Sequence, residues 1–141
     1  MKLVFRVFLG LLVALGAGWL WGASGRWDTN RAVQTAELRS DLLEARGAVL
    51  AARVDLYNVN FGDASRHLED AKGLLRHATG QFNSTGRKDE ATRLDPALAR
   101  IDEAQQLAGR LDQEANSRAA DAAKTIDEVL GAGVKRNASK E

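Results

Sequence analysis

A chain of 141 residues with one proline and no cysteine holds one small domain once its apolar start is set aside, and excludes disulfides, thiolate metal sites and thiol catalysis. The abundance of Ala, Leu, Arg, Asp and Glu beside only 6% aromatics reads as all-α, because sheets favour β-branched and aromatic side chains. The net charge of +1 conceals an asymmetry: Lys2, Arg6 and Arg26 carry +3 with no acid among them, so residues 27–141 hold −2, a mixed-sign domain without the basic footprint that nucleic acid requires.

Residues 7–25 contain no charge, and nineteen residues of helix reach about 28 Å, close to the thickness of a hydrocarbon core. Lys2 and Arg6 precede this run, which predicts a single-pass membrane segment with its N-terminus in the cytoplasm and the domain outside, in the periplasm if the cell is bacterial. Trp19, Trp21 and Trp27 gather at the distal end as an interfacial belt, where indole rings prefer the headgroup level. Gly10, Ala14, Gly18 and Gly22 recur every fourth residue, a small-residue stripe along which a second membrane helix packs closely. The competing reading is a cleaved signal peptide, since Ala23-Ser24-Gly25 supplies small residues after the apolar run; the run exceeds the usual signal core of roughly 7–15 residues, which favours a retained anchor.

Asp28 or Thr29 is the expected cap of the first soluble helix, whose apolar positions Ala36, Leu43, Leu50 and Tyr57 repeat every seven residues beside Leu42, Val49 and Leu56 and are joined by Val54. Polar residues and Gly62 near residue 60 end it, and Asp63 is the expected cap of a second run through Ala64, Leu68, Ala71, Leu75, Ala78 and Phe82. Residues 83–92 carry no sustained apolar face and read as a loop. Asp95-Pro96 is the expected start of a third helix, with core positions Leu98, Ile101, Ala104, Ala108, Leu111, Ala115, Ala119, Ala122, Ile126 and Val129, stopped by Gly131 and Gly133.

The segment Leu56-Tyr57, Phe61-Gly62-Asp63-Ala64, Leu68 and Ala71 resembles the helix-turn-helix of a tetratricopeptide repeat. It departs from that pattern by lacking the three residues between Gly-Asp and Ala, and no second copy follows, so a plain helical hairpin is the simpler reading. Asp63, His67 and Asp70 share one helix face, yet His77 is turned away from it and no Glu-x-x-His pair exists, so no metal ligand and no cofactor are expected. No Gly-x-Ser-x-Gly, phosphate-binding glycine loop or His-Glu-x-x-His occurs, and no enzymatic activity is expected.

The expected organisation is a transmembrane signal-anchor over residues 1–26, a helical bundle over 27–131 and a flexible tail over 132–141. The bundle is expected to be an antiparallel hairpin or three-helix, coiled-coil-like assembly with its seam at Leu43, Leu50, Tyr57, Leu68, Leu75, Leu98, Ile101 and Leu111. Its thin, alanine-rich core leans toward self-association. The functional expectation is an anchored interaction or scaffold protein with the lipid bilayer and a protein as partners. The alternatives are an extracytoplasmic ligand-sensing bundle, resembling the helical sensor regions of bacterial transmembrane receptors, or a secreted helical protein if the leader is removed.

Overall fold

Every described residue from 32 to 138 of the computed structural model lies in a helix or a short connection, with side chains described as far as residue 133. The helices are α1 (32–57), α2 (Phe61–Ser84), α3 (Lys88–Gly109) and α4 (Glu114–Ala138), and no strand occurs among the described residues. The expected membrane segment, its glycine stripe and its tryptophan belt lie outside the described residues. None of the described helices is long and apolar enough to cross a membrane.

From Leu38 onward the chain forms a unit of its own, an up-down-up-down bundle of four antiparallel helices. Polar bridges show which helices are neighbours. Asp41 and Asp55 of α1 meet His77 and His67 of α2, and Lys72 of α2 meets Asp102 and Gln105 of α3. Arg118 of α4 reaches Glu103 of α3, while Arg46 and Arg53 of α1 reach Asp127 and Asn116 of α4, closing the square.

Each helix contributes an inward row at steps of mainly three and four residues: Leu38, Leu42, Ala45, Val49, Ala52 and Leu56 from α1, and Ala64, Leu68, Ala71, Leu75, Ala78 and Phe82 from α2. α3 adds Ala91, Leu94, Ala97, Ile101, Ala104 and Ala108, and α4 adds Ala115, Ala119, Ala122, Ala123, Ile126 and Val129. Along α2 alanine alternates strictly with a large residue, so each wide side chain faces room left by a small one, and the backbones approach closely.

The three connections share one hydrogen-bonding pattern. After α1, the Asn60 N–H reaches the Asp55 carbonyl at 2.8 Å and the Val59 N–H reaches Leu56 at 3.1 Å. After α2, Arg87 reaches Phe82 at 2.8 Å and Gly86 reaches Asn83 at 3.2 Å; after α3, Asp112 reaches Leu107 at 3.0 Å and Leu111 reaches Ala108 at 2.9 Å. These are Schellman caps, which satisfy terminal carbonyls by placing one residue in the left-handed region. Glycine does this without strain at Gly86 (φ 75°), but Val59 (φ 61°) and Leu111 (φ 57°) carry side chains there.

Four expectations are corrected by this arrangement. The bundle has four helices rather than two or three, because the expected third helix is divided at Leu111, where a cap forms without glycine and the Asp112 carboxylate accepts from the Glu114 N–H at 2.9 Å to start α4. α3 begins at Lys88 and takes Pro96 into its interior; buried Ala91 and Leu94 hold the preceding turns against the core despite the hydrogen bond that proline removes. α2 is capped by Asn60, whose side-chain oxygen accepts from the Asp63 N–H, while Asp63 itself sits one turn in and pairs with Arg66. α4 continues through Gly131 and Gly133, neither of which takes a positive φ, and helix fills most of the expected tail.

Candidate interaction surface

The predicted seam residues fall into two groups. Leu68, Leu75 and Ile101 are fully buried, and Leu50 and Leu98 are partly buried against the core. Leu43 (49% exposed), Tyr57 (81%) and Leu111 (70%) instead face outward. In α1 the correction amounts to one residue: Leu42, Val49 and Leu56 point into the bundle where Leu43, Leu50 and Tyr57 were expected. One residue is about 100° of helix rotation, enough to move a side chain from core to surface.

The outward series of α1 forms an interrupted apolar ridge. Exposed Leu43, Val54 and Tyr57 and half-buried Leu50, which also packs against the core edge, follow the same three-and-four spacing as the inward row, with Ser40 and Gly47 filling the intervening steps. Val54 is 61% exposed, so nothing within the bundle covers the end of this ridge. Two further exposed side chains, Val59 and Leu111, sit in the α1–α2 and α3–α4 connections, which the up-down topology places at the bundle end where Tyr57 also lies. Sequence reasoning missed this surface because it assigned the strongest heptad series of α1 to the interior.

Several polar groups bridge helices, and others pair within one helix. Lys72, whose side chain is only 11% exposed, donates to Gln105 Oε1 at 2.7 Å and lies 2.8 Å from Glu69 and 3.2 Å from Asp102. Hydrogen bonds from Gln105 and then Lys72 hold the Glu69 carboxyl below its ordinary value. The Lys72 ammonium is raised above its own, chiefly by the hydrogen bond to Glu69 and then, against the opposing effect of burial, by that to Asp102. At the α2–α3 turn the Arg87 guanidinium stacks 4.7 Å from the Phe82 ring centroid and its Nε donates to Glu90 at 3.1 Å, while burial lowers the Arg87 value. Both are interhelical fasteners, in which long aliphatic stems cover the core edge and charged ends find partners.

An open surface depression of about 520 Å³ is lined by Asp55, Asp63, Arg66, His67, Glu69 and Asp70, which includes the three residues considered for a metal. His67 Nε2 lies 3.4 Å from Asp55 Oδ2, and Asp63 is engaged by Asn60 and Arg66. His77 Nδ1 lies 2.9 Å from Asp41, so each histidine faces α1 rather than the other histidine. Among the described residues no group of three or more His, Cys, Asp or Glu is arranged to hold a metal ion. The exposed large apolar side chains from residue 43 onward are Leu43, Val54 and Tyr57 on α1 and Val59 and Leu111 in the turns. Comparison with protein-family models, curated proteins and solved structures returns no match.

Proposed function

We propose that the protein is a non-enzymatic interaction or scaffold protein, anchored by its N-terminal segment in a membrane and presenting the four-helix bundle outside the cytoplasm to a protein partner. The observation that carries this reading is the exposure of Leu43, Val54 and Tyr57, with half-buried Leu50 between them, on a helix whose other side already fills a core. An unpartnered ridge of this kind is the half of a helix–helix contact that a second protein completes. The anchor rests on the uncharged run over residues 7–25 behind Lys2 and Arg6.

The test is fractionation of cells expressing the full chain, with the mass of the mature protein measured in each pool. Full-length protein in the membrane pool, released by detergent and not by high salt or carbonate, supports the anchored reading. A soluble chain beginning near Arg26 overturns it and leaves a secreted bundle. Protease added outside the cytoplasmic membrane should digest or trim the bundle; protection of the bundle there reverses the proposed orientation.

A further inference from the structure

We propose that the partner of the α1 ridge is a second copy of this chain, docked in parallel so that the two α1 helices form a short coiled coil between bundles. Over residues 40–57 the ridge places Ser40, Gly47 and Val54 at one seam position and Leu43, Leu50 and Tyr57 at the other. Leucine at the second seam position is the pattern of parallel two-stranded coils, and Ser40 and Gly47 leave space for the approaching backbone. An added Cβ at Gly47 would meet nothing within 4 Å in the single bundle, so its small size is not required by the bundle's own packing.

The charges beside this seam select the direction. One flank carries Arg39, Arg46 and Arg53, and the other carries Glu44. In a parallel pair the first flank of one helix lies against the second flank of its partner, which brings Arg39 opposite Glu44 of the second copy. In an antiparallel pair like flanks meet, which separates Arg39 from Glu44 of the second copy and sets the two arginine-bearing flanks together; Arg46 is already neutralised by Asp127 of its own α4, so the loss of the Arg39–Glu44 pair is the main penalty. Arg46 and Arg53 are directed toward Asp127 and Asn116 of their own α4, and both remain on that flank. Parallel docking also leaves both N-terminal segments at the same end of the assembly; this second argument for direction rests on the anchored reading above, whereas the charge argument does not. The fully exposed positions of α2, α3 and α4 within residues 61–133 are polar, charged or small, apart from Leu111 in its turn and Pro96; half-buried Leu74, Leu98, Leu107 and Leu130 pack against the core as Leu50 does, with no exposed large apolar side chain beside them on their own helices.

The absence of cysteine from the chain makes the test direct. Full-length protein in mild detergent is prepared with single substitutions Leu43→Cys or Tyr57→Cys on the ridge, and Gly73→Cys or Ser117→Cys as exposed controls, and treated with a short bis-maleimide. The ridge variants are expected to give covalent dimer at least about tenfold faster than the controls, as in a specific rather than collisional contact. Leu43→Cys mixed with Tyr57→Cys, one of them mass-tagged, is expected to give like-with-like dimers only. Mixed dimers in place of like pairs overturn the parallel arrangement, and equal rates at ridge and control positions overturn the docking surface. A monomeric Leu43→Cys variant whose thiol resists a single maleimide shows the ridge covered by the chain's own N-terminal segment and also overturns it. Leu43→Glu with Val54→Glu is expected to abolish the dimer while leaving helical content unchanged; an unchanged dimer contradicts the proposal. A soluble chain that still crosslinks at residue 43 defeats the anchor and spares the dimer, whereas a membrane-bound chain without crosslinks does the reverse.

Discussion

The two sides of α1 have the same spacing and opposite fates. The inward row from Leu38 to Leu56 is apolar at every step, whereas the outward row passes through Ser40 and Gly47 before ending at Val54 and Tyr57. Period alone says that a helix has an apolar side, not which of two apolar sides the rest of the chain covers. Uninterrupted burial is what a core requires, since a hydroxyl or a missing side chain in the row forfeits contact area or leaves a polar group to be satisfied. An exposed ridge tolerates both.

Truncation of two neighbouring leucines separates the two sides most strongly. Leu42→Ala is expected to destabilise the bundle by about 2–5 kcal/mol through lost burial and a cavity. Leu43→Ala, measured by the same chemical denaturation at a concentration where copies are dissociated, is expected to cost less than about 1 kcal/mol. Next in size is Pro96→Ala in α3, which restores a hydrogen bond to the Thr92 carbonyl and is expected to raise stability by up to about 3 kcal/mol. An unchanged unfolding midpoint would mean that the helix is already accommodated to the proline. At the turns, Val59→Gly and Leu111→Gly relieve left-handed strain at exposed positions, with an expected net gain of about 1 kcal/mol each after the extra freedom of glycine in the unfolded chain is counted. Gly86→Ala at the matching turn is expected to destabilise, so the three substitutions together test whether the caps are equivalent.

The smallest expected effect is a pH dependence at the α2–α3 bridge. The Glu69 carboxyl is held below its ordinary value of 4.5, so its contribution is present above that pH and is lost as pH falls through the folded value. Lys72 is raised above 10.5, so its contribution is complete below that pH and is lost as pH rises through the folded value. Glu69→Gln is expected to flatten the acid limb of a stability-against-pH curve and leave the slope near neutrality unchanged. A variant curve parallel to that of the natural chain throughout would remove Glu69 from the linkage.

How far the sequence predicts this structure varies from helix to helix for physical reasons. The whole inward row of α2, from Ala64 to Phe82, is readable because alanine and large residues alternate on one side and polar residues occupy the other. α1 was readable in its period and in its end near residue 60 but turned by one residue, since its adjacent apolar pairs Leu42-Leu43 and Val49-Leu50 serve either side equally. The division between α3 and α4 left almost no trace: Ala104, Ala108, Leu111, Ala115 and Ala119 keep one helical phase across it, and the residue that turns the chain is leucine rather than glycine. Only Asp112 ahead of Glu114, a capping carboxylate, marked a new start. Pro96 misled in the opposite sense, because burial of Ala91 and Leu94 outweighs the local preference for beginning a helix at proline. Leu43 and Tyr57 were visible as apolar positions but assigned to the interior; the structure buries their neighbours Leu42 and Leu56 instead and leaves them exposed.

α1 has one side committed to the bundle and one side exposed. A charge placed at each of two adjacent positions, Leu42→Asp and Leu43→Asp, checks this division when thermal unfolding of the full chain is followed by circular dichroism in mild detergent at low concentration. The account predicts that Leu42→Asp abolishes the cooperative transition, while Leu43→Asp keeps the helical signal and unfolds within a few degrees of the natural chain, about 1 kcal/mol or less. Loss of the transition in Leu43→Asp with Leu42→Asp intact would contradict it.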